Sequence, residues 1–252
     1  MNTKSNGESN SDTELVEKLY QPFTAWPKLE SSVISLPDKY QIDISYLIKA
    51  LEDVRLKYSL QPIIIDPITK KKRLTYRGIG LTSRKASKDP IYEGAQYYNS
   101  SGELVSSAKY DDESTDSSKT VSFENEFSEI NNVAPDLVLK IKSLFDKWTV
   151  TKVRLMELHP GGRIPPHHDH PYYDQIRIHY LIETNPDVYW NVEGVNFKME
   201  ANGKPFWFDT GRIHSVYNKG STPRTVLSIH LKAPADKEAT LNFIQDLRSG
   251  LL

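Results

Sequence analysis

The region spanning residues 150–232 constrains the fold more than any other part of the sequence. Short runs rich in β-branched, aromatic and aliphatic residues alternate there with turn signals such as PGG, NP, EG, NG, TG and KGSTP. The runs are KVRLMEL, QIRIHYLIE, VYWNV, VNFKME, PFWFD, SVYN and TVLSIHL. Short strands at this spacing are typical of a sandwich or barrel. We therefore predict a mainly β protein with flanking helices and a double-stranded β-helix core of the jelly-roll, cupin-like type.

Two of these strands predict a polar interior for the barrel. Side chains alternate between the two faces of a strand, so QIRIHYLIE has one apolar face and one face that carries Arg177 and His179. In RTVLSIHL the apolar face is opposed by Arg224, Ser228 and His230, together with one valine. If the polar faces point inward, the core contains a charged cavity that can hold a ligand.

The rest of the chain is predicted to form three parts around this core. Residues 1–12 read as a disordered tail, and residues 13–149 as an α+β part that packs on the barrel, with a flexible insertion or lid near 99–121. Helical spacing of apolar residues predicts helices over 43–58 and 135–148, and IIID, ITKKKRLTY and IGLTS suggest short strands. The catalytic core then covers 150–252 and includes a closing helix over 236–248.

Composition narrows the possible functions. With 32 basic and 33 acidic residues, the chain has no overall field that would recruit nucleic acid or an anionic membrane. It has no cysteine, so any metal must be held by nitrogen and oxygen ligands. We see no apolar targeting or membrane-spanning stretch and expect a cytoplasmic protein that binds a small molecule.

A histidine cluster, HPGGRIPPHHDH at residues 159–170, predicts a metal site. His167 and Asp169 are two residues apart, so in an extended segment their side chains point the same way. His214, at a turn-to-strand junction in FDTGRIHSVYN, can supply a third ligand. Two imidazoles and one carboxylate form the facial triad of non-haem Fe(II) oxygenases, so we favour this set. The alternative set is His168 and His170, with Asp174 or another acid as the third ligand.

Cationic residues near the predicted metal site suit a dicarboxylate cosubstrate. A keto-diacid that chelates iron needs a partner for its far carboxylate, and a guanidinium can make two parallel hydrogen bonds to it. Arg224 lies ten residues after His214 and is the candidate for this role. Arg177 and His179 form a second candidate pair for binding an anion.

Four blocks in this order, HPGGRIPPH, RIHYLIETN, FDTGRIHSV and PRTVLSIHL, resemble the aspartyl/asparaginyl β-hydroxylases, which are Fe(II)- and 2-oxoglutarate-dependent oxygenases similar to bacterial proline hydroxylases. The resemblance covers residues 154–232. It implies that His167 and His214 bind iron, that Arg224 binds 2-oxoglutarate, and that Arg177 with His179 lines the cosubstrate and substrate pocket. Some members carry glycine at the position of Asp169 and serine at the position of Met156.

The resemblance implies an O₂-consuming hydroxylase that uses Fe(II) and 2-oxoglutarate. The complete triad favours a free amino acid or a small amino-acid derivative as substrate. A residue on a protein or carrier, and a cupin-like module that only binds a small anion, are the alternatives. Candidate residues for substrate contact in the N-terminal part are Tyr76, Arg77 and Tyr92.

Overall fold

The strands of the C-terminal half form two antiparallel sheets with a cavity between them. The fold is given by a computed structural model, which describes residues 33–62, 74–85, 87, 89–92, 125–167, 169, 175–232, 238–240, 242, 244 and 245. The larger sheet has seven strands in the order β1-β11-β8-β13-β6-β3-β2, and the smaller has four in the order β10-β9-β12-β7. A two-stranded ladder of β4 and β5 lies apart from both.

The strands β6 and β8 to β13 follow the predicted runs closely, whereas β1, β2, β5 and β7 were not predicted. The strand bounds are β1 Val33–Ser35, β2 Gln61–Pro62, β3 Tyr76–Gly80, β4 Thr82–Ser83, β5 Glu129–Ile130, β6 Val150–Leu158, β7 Arg163–His167, β8 Gln175–Glu183, β9 Val188–Val192, β10 Val195–Phe197, β11 Pro205–Phe208, β12 His214–Asn218 and β13 Arg224–Lys232.

The architecture is defined by which of the two sheets each successive strand belongs to. From β6 onward the chain passes back and forth between the larger and the smaller sheet, and β10 is the one hairpin partner added to the smaller sheet. This alternation is the double-stranded β-helix, or jelly roll. The predicted fold class is confirmed.

Strand β7 was not among the predicted strands, and its sequence explains why. It contains the adjacent residues Pro165 and Pro166, which lack the amide hydrogen that a ladder needs. Because β7 is the last strand of the smaller sheet, its outer edge has no neighbour among the described strands and the prolines are tolerated. An extended conformation up to His167 is therefore possible.

Two helices cover the outer face of the larger sheet. Helix α1 spans Ile44–Lys57 and begins at Asp43, whose carboxylate accepts hydrogen bonds from the amides of Ser45 and Tyr46. Helix α2 spans Pro135–Leu144, with Pro135 in the first turn. Their buried apolar residues join those of β6, β8 and β13 in one core cluster. The predicted apolar strand faces therefore lie under the helices, and the polar faces point to the cavity.

Some predictions differ from the structure or lie outside it. The second helix ends at Leu144, four residues before the predicted end, because the chain turns at Phe145 to enter β6. Residues 238–240, 242, 244 and 245 are helical, as expected for a closing helix, and Ile244 is buried. The tail at 1–12, the segment at 99–121 and the runs within 63–73 lie outside the described residues. The division of the chain at residue 149 stays a prediction.

Candidate functional site

The structure brings His167, Asp169 and His214 together. His167 is the last residue of β7 and His214 is the first residue of β12, and the two are register partners. One ligand atom from each of the three residues lies within 4.8 Å of the others. The Oδ2 atom of Asp169 is 3.9 Å from Nε2 of His167 and 3.7 Å from Nε2 of His214. This spacing suits three ligands of a single ion.

Backbone carbonyl groups orient both imidazoles. Nδ1 of His167 lies 2.8 Å from the carbonyl oxygen of Pro165, and Nδ1 of His214 lies 2.8 Å from that of Arg212. A carbonyl oxygen only accepts, so Nδ1 carries the proton in each ring and Nε2 keeps a free lone pair. This is the arrangement by which metal-binding histidines are usually held.

The protonation state of His214 favours the binding of a cation by the triad. Burial, followed by the adjacent His167, lowers the pKa of His214 to about 4, so the ring is neutral at pH 7. The main chain of Asp169 is held by a hydrogen bond of 2.7 Å from its amide to the carbonyl of Thr210. The alternative ligands His168, His170 and Asp174 lie outside the described residues.

A cavity of about 250 Å³ opens beside the triad and is lined by both sheets. Three guanidinium groups reach it, from Arg154, Arg177 and Arg224. Among the described lining residues, Asp169 is the one carboxylate. The cavity therefore carries excess positive charge. Its apolar wall is formed by Met156, Ile164, Trp190, Phe208 and Val216.

Arg224 is a buried cation with no ion pair to any of the residues that the structure describes. The residue is 2% exposed, and its Nε and Nη1 atoms have no hydrogen-bond partner among the described residues. Its guanidinium lies over the ring of Trp190, 4.2 Å from the centroid. Burial lowers the pKa of Arg224 to about 10, so the group still carries its charge at pH 7. The site fits a ligand with a carboxylate.

Arg177 and His179 differ from each other in what they contact. Arg177 donates hydrogen bonds from Nη1 to Asp169 and from Nε to the side-chain oxygen of Gln175. His179 stacks on Phe208, and burial, followed by the charges of Arg224 and Arg177, holds its pKa well below the usual value. Arg177 therefore meets the triad directly, whereas His179 is a neutral group facing the cavity.

Arg154 and Trp190 are two of the cavity residues that sequence reasoning missed. Arg154 has the same alternation within KVRLMEL as Met156, and that pattern could have placed it inside the barrel. The alternation within VYWNV could likewise have placed Trp190 on the inner face, but its contact with Arg224 joins two sheets and has no signal in the sequence. Of the three N-terminal candidates, Tyr76 lines the cavity and bonds through its hydroxyl to the sulfur of Met156, 3.1 Å away. Arg77 and Tyr92 do not line it.

The family is decided by the sequence match that accompanies this geometry. Residues 93–234, more than half of the chain, match the family described as aspartyl/asparaginyl beta-hydroxylase. This chain belongs to the aspartyl/asparaginyl β-hydroxylase family. The matched region contains the triad and the three cavity arginines. No curated protein is similar enough to the chain to count as a match.

Solved structures are similar to this chain at low identity. An oxidoreductase of the 2OG-Fe(II) oxygenase family from Burkholderia pseudomallei is 11% identical, with 82% of this chain and 90% of that chain covered and a TM-score of 0.47. A predicted oxalate decarboxylase from Thermotoga maritima is 21% identical over 36% of this chain and 73% of that chain, with a TM-score of 0.28. No helix in the described part of the chain has the length and apolar character needed to cross a lipid bilayer.

Proposed function

We propose that this β-hydroxylase is an Fe(II)- and 2-oxoglutarate-dependent dioxygenase that hydroxylates an unactivated C–H bond of a free amino acid or a small amino-acid derivative. The observation that carries the proposal is the meeting of His167, Asp169 and His214 within 4.8 Å beside a cavity that contains Arg224, whose Nε and Nη1 atoms have no partner among the described residues. The triad suits a ferrous ion, and the arginine suits the tail of a keto-diacid.

The donor set fits iron. Two neutral imidazole nitrogens and one carboxylate oxygen on one side of an ion are the ligands of non-haem Fe(II) oxygenases, and they leave positions for other ligands. When bound, iron and 2-oxoglutarate would supply the oxidising chemistry that converts a C–H bond to C–OH with O₂.

The residues of the chain have distinct tasks in this proposal. The carbonyl groups of Pro165 and Arg212 hold the imidazoles in one tautomer. Arg224 would hold the far carboxylate of 2-oxoglutarate, and Trp190 keeps its guanidinium in place. The apolar wall around these groups restricts water, which strengthens each charged contact.

Two other functions remain as alternatives for the same site. A β-hydroxylase acting on a protein-bound or carrier-bound residue would use the same triad and differ in what reaches the cavity mouth. A cupin-like module that only binds a small anion would use the arginines without needing iron. The complete triad favours an enzyme, because a binding module has no use for a third metal ligand.

The test is spectroscopic and catalytic. Purified full-length protein is mixed anaerobically with Fe(II) and 2-oxoglutarate, and the weak visible charge-transfer band of the chelate is recorded. O₂ is then admitted with each of a panel of free amino acids, and succinate is measured. We expect the band in the wild type, its loss in His214→Ala, and succinate release that depends on one class of amino acid.

A matched variant separates a specific loss from a general one. His159→Ala removes an imidazole that bonds to Glu157 outside the cavity, and it should keep both the band and the turnover. Absence of the band in the wild type, or its persistence in His214→Ala, contradicts the proposal. Turnover of peptides but of no free amino acid favours the protein-residue alternative.

A further inference from the structure

Three polar side chains form a row across neighbouring strands of the larger sheet. Arg154 on β6 is the register partner of Ser228 on β13, and Ser228 is in turn the partner of His179 on β8. Residues that are register partners in a sheet point to the same face. Arg154 and His179 line the cavity, so the row faces the interior of the barrel.

Each member of this row has an atom that lacks a hydrogen bond. Within the described part of the chain, Nε of Arg154, Oγ of Ser228 and Nδ1 of His179 have no partner. The three residues are 8%, 0% and 6% exposed, respectively. Leaving such groups buried and unsatisfied costs free energy, and their clustering in one place indicates a site for a ligand.

Among the described residues that line the cavity, Arg154 has no carboxylate partner. Arg177 is paired with Asp169, and Arg224 is the group suited to the cosubstrate. Arg154 makes no ion pair with any described residue. Arg154 also lies at a different level of the sheet from Arg224, since Arg224 is the register partner of Leu158, four residues further along β6.

We propose that Arg154, Ser228 and His179 form a second carboxylate-binding subsite, which holds the carboxylate of the primary substrate. A guanidinium, a hydroxyl and an imidazole can together donate several hydrogen bonds to one carboxylate. This inference rests on the proposed function and deepens it. A free amino acid offers its own carboxylate to this row, whereas a residue within a peptide chain has that group converted to an amide.

The neutral state of His179 is consistent with a carboxylate-binding row formed with Arg154 and Ser228. Burial, followed by the charges of Arg224 and Arg177, holds its pKa well below the usual value, and Arg154 adds to this effect. A neutral imidazole keeps one N–H to donate and adds no further positive charge. Arg154 is therefore the one charged group of the subsite, which suits a carboxylate with one negative charge better than a phosphate with two.

The first arm of the experiment asks which anion Arg154 binds. Affinity for 2-oxoglutarate is measured by calorimetry on anaerobic, Fe(II)-loaded full-length protein, for the wild type, Arg154→Met and Arg224→Met. We expect Arg224→Met to weaken 2-oxoglutarate binding by about 10- to 100-fold, as for the loss of hydrogen bonds to a charged group, and Arg154→Met to have a much smaller effect. Equal weakening by both substitutions overturns the proposal, because the row then serves the cosubstrate.

The second arm asks whether the primary ligand needs a carboxylate. Thermal unfolding of the iron- and 2-oxoglutarate-loaded protein is followed with free L-amino acids and with their carboxamides. We expect at least one acid to raise the melting temperature of the wild type while its carboxamide does not. Arg154→Met should lose this difference, and Ser228→Ala should reduce it.

Two further variants keep the second arm interpretable. Arg77→Met removes the same charge from the adjacent strand β3 at a position outside the cavity lining, so it should behave as the wild type. If Arg154→Met does not fold, Arg154→Lys keeps the charge but not the planar fork, and it should lose most of the acid preference. An acid preference that survives in both Arg154 variants, or no acid preference in the wild type, overturns the subsite.

Failure of this inference can be told from failure of the proposed function. If the iron-loaded wild type does not bind 2-oxoglutarate, the proposed function is wrong, and the second arm run without 2-oxoglutarate still reports whether Arg154 holds a carboxylate. If 2-oxoglutarate binds and the acid preference is absent, the subsite alone is wrong.

Discussion

Arg177 donates a hydrogen bond from its Nη1 atom to Oδ2 of Asp169, the oxygen that lies 3.7 Å from Nε2 of His214. The arginine is 6% exposed and is itself held through Nε by the side-chain oxygen of Gln175, 3.1 Å away. A series of hydrogen bonds thus connects strand β8 to the carboxylate of the triad. Asp169 follows β7 in the smaller sheet, so these hydrogen bonds link the two sheets at the candidate metal site.

Removing Arg177 should weaken metal binding even without cosubstrate. Partners that hold a metal ligand in place typically contribute about 10- to 100-fold to metal affinity, and we expect a loss in this range for Arg177→Gln. Co(II) affinity, measured by calorimetry in the absence of 2-oxoglutarate, reports this directly. Arg154→Gln removes another cavity cation that does not contact the triad, and it should not weaken Co(II) binding. Unchanged or tighter binding in Arg177→Gln means that Arg177 does not position Asp169.

Replacing Arg224 should make the protein more stable while it abolishes cosubstrate binding. A fully buried guanidinium without an anion is costly, and an apolar side chain of similar volume removes that cost. The stacking on Trp190 is lost as well, so we expect a net gain of about 1 kcal/mol in the free energy of unfolding for Arg224→Met. Urea unfolding of the ligand-free protein measures it. A large loss of stability indicates instead that Arg224 has a structural role.

Acid should destabilise the metal-free protein over a defined range. The pKa of His214 is about 4 in the folded state, whereas an imidazole in an unfolded chain titrates near 6.5. The unfolded state binds the proton more tightly, so this contribution is fully present above pH 6.5 and is lost as the pH falls towards 4. Its size is on the order of 3 kcal/mol. The melting temperature of His214→Asn should therefore depend less steeply on pH in this range than that of the wild type. An equal change of slope in His159→Asn, a substitution outside the cavity, would contradict the assignment of this effect to His214.

Local periodicity was enough to predict most of the fold. The period-two pattern of QIRIHYLIE defines β8 to the residue, and it separates Arg177 and His179 from the apolar face that packs under the helices. The pattern works because each strand of the larger sheet has one face against the helices and one against the cavity. Strand β7 was not predicted, because Pro165 and Pro166 disfavour a strand. Its position at the edge of the smaller sheet allows the prolines to be accommodated.

The contacts within the site could be predicted only in part. The spacing of His167 and Asp169 and the junction before His214 indicated which side chains could meet, since strand geometry is local. The pairing of Arg177 with Asp169 and the stacking of Arg224 on Trp190 join the two sheets. Such contacts depend on how the sheets pack, which no short stretch of sequence encodes.

Gly203 should be intolerant of any side chain, because it joins the loop before β11 to the segment that leads into helix α1. Its φ is +79°, and a Cβ atom there would lie 1.9 Å from the carbonyl oxygen of Ile42. The carbonyl of Gly203 also accepts a hydrogen bond of 3.0 Å from the amide of Ile42. We expect Gly203→Ala to lower the free energy of unfolding by about 2–4 kcal/mol, from backbone strain and the forced separation of the two segments.

Gly194→Ala is the matched control, since its φ is +85° and a Cβ atom would meet nothing within 4 Å. That control carries the strain alone and should lose only about 1 kcal/mol in urea unfolding. Equal losses in the two variants mean that the close approach to Ile42 contributes nothing.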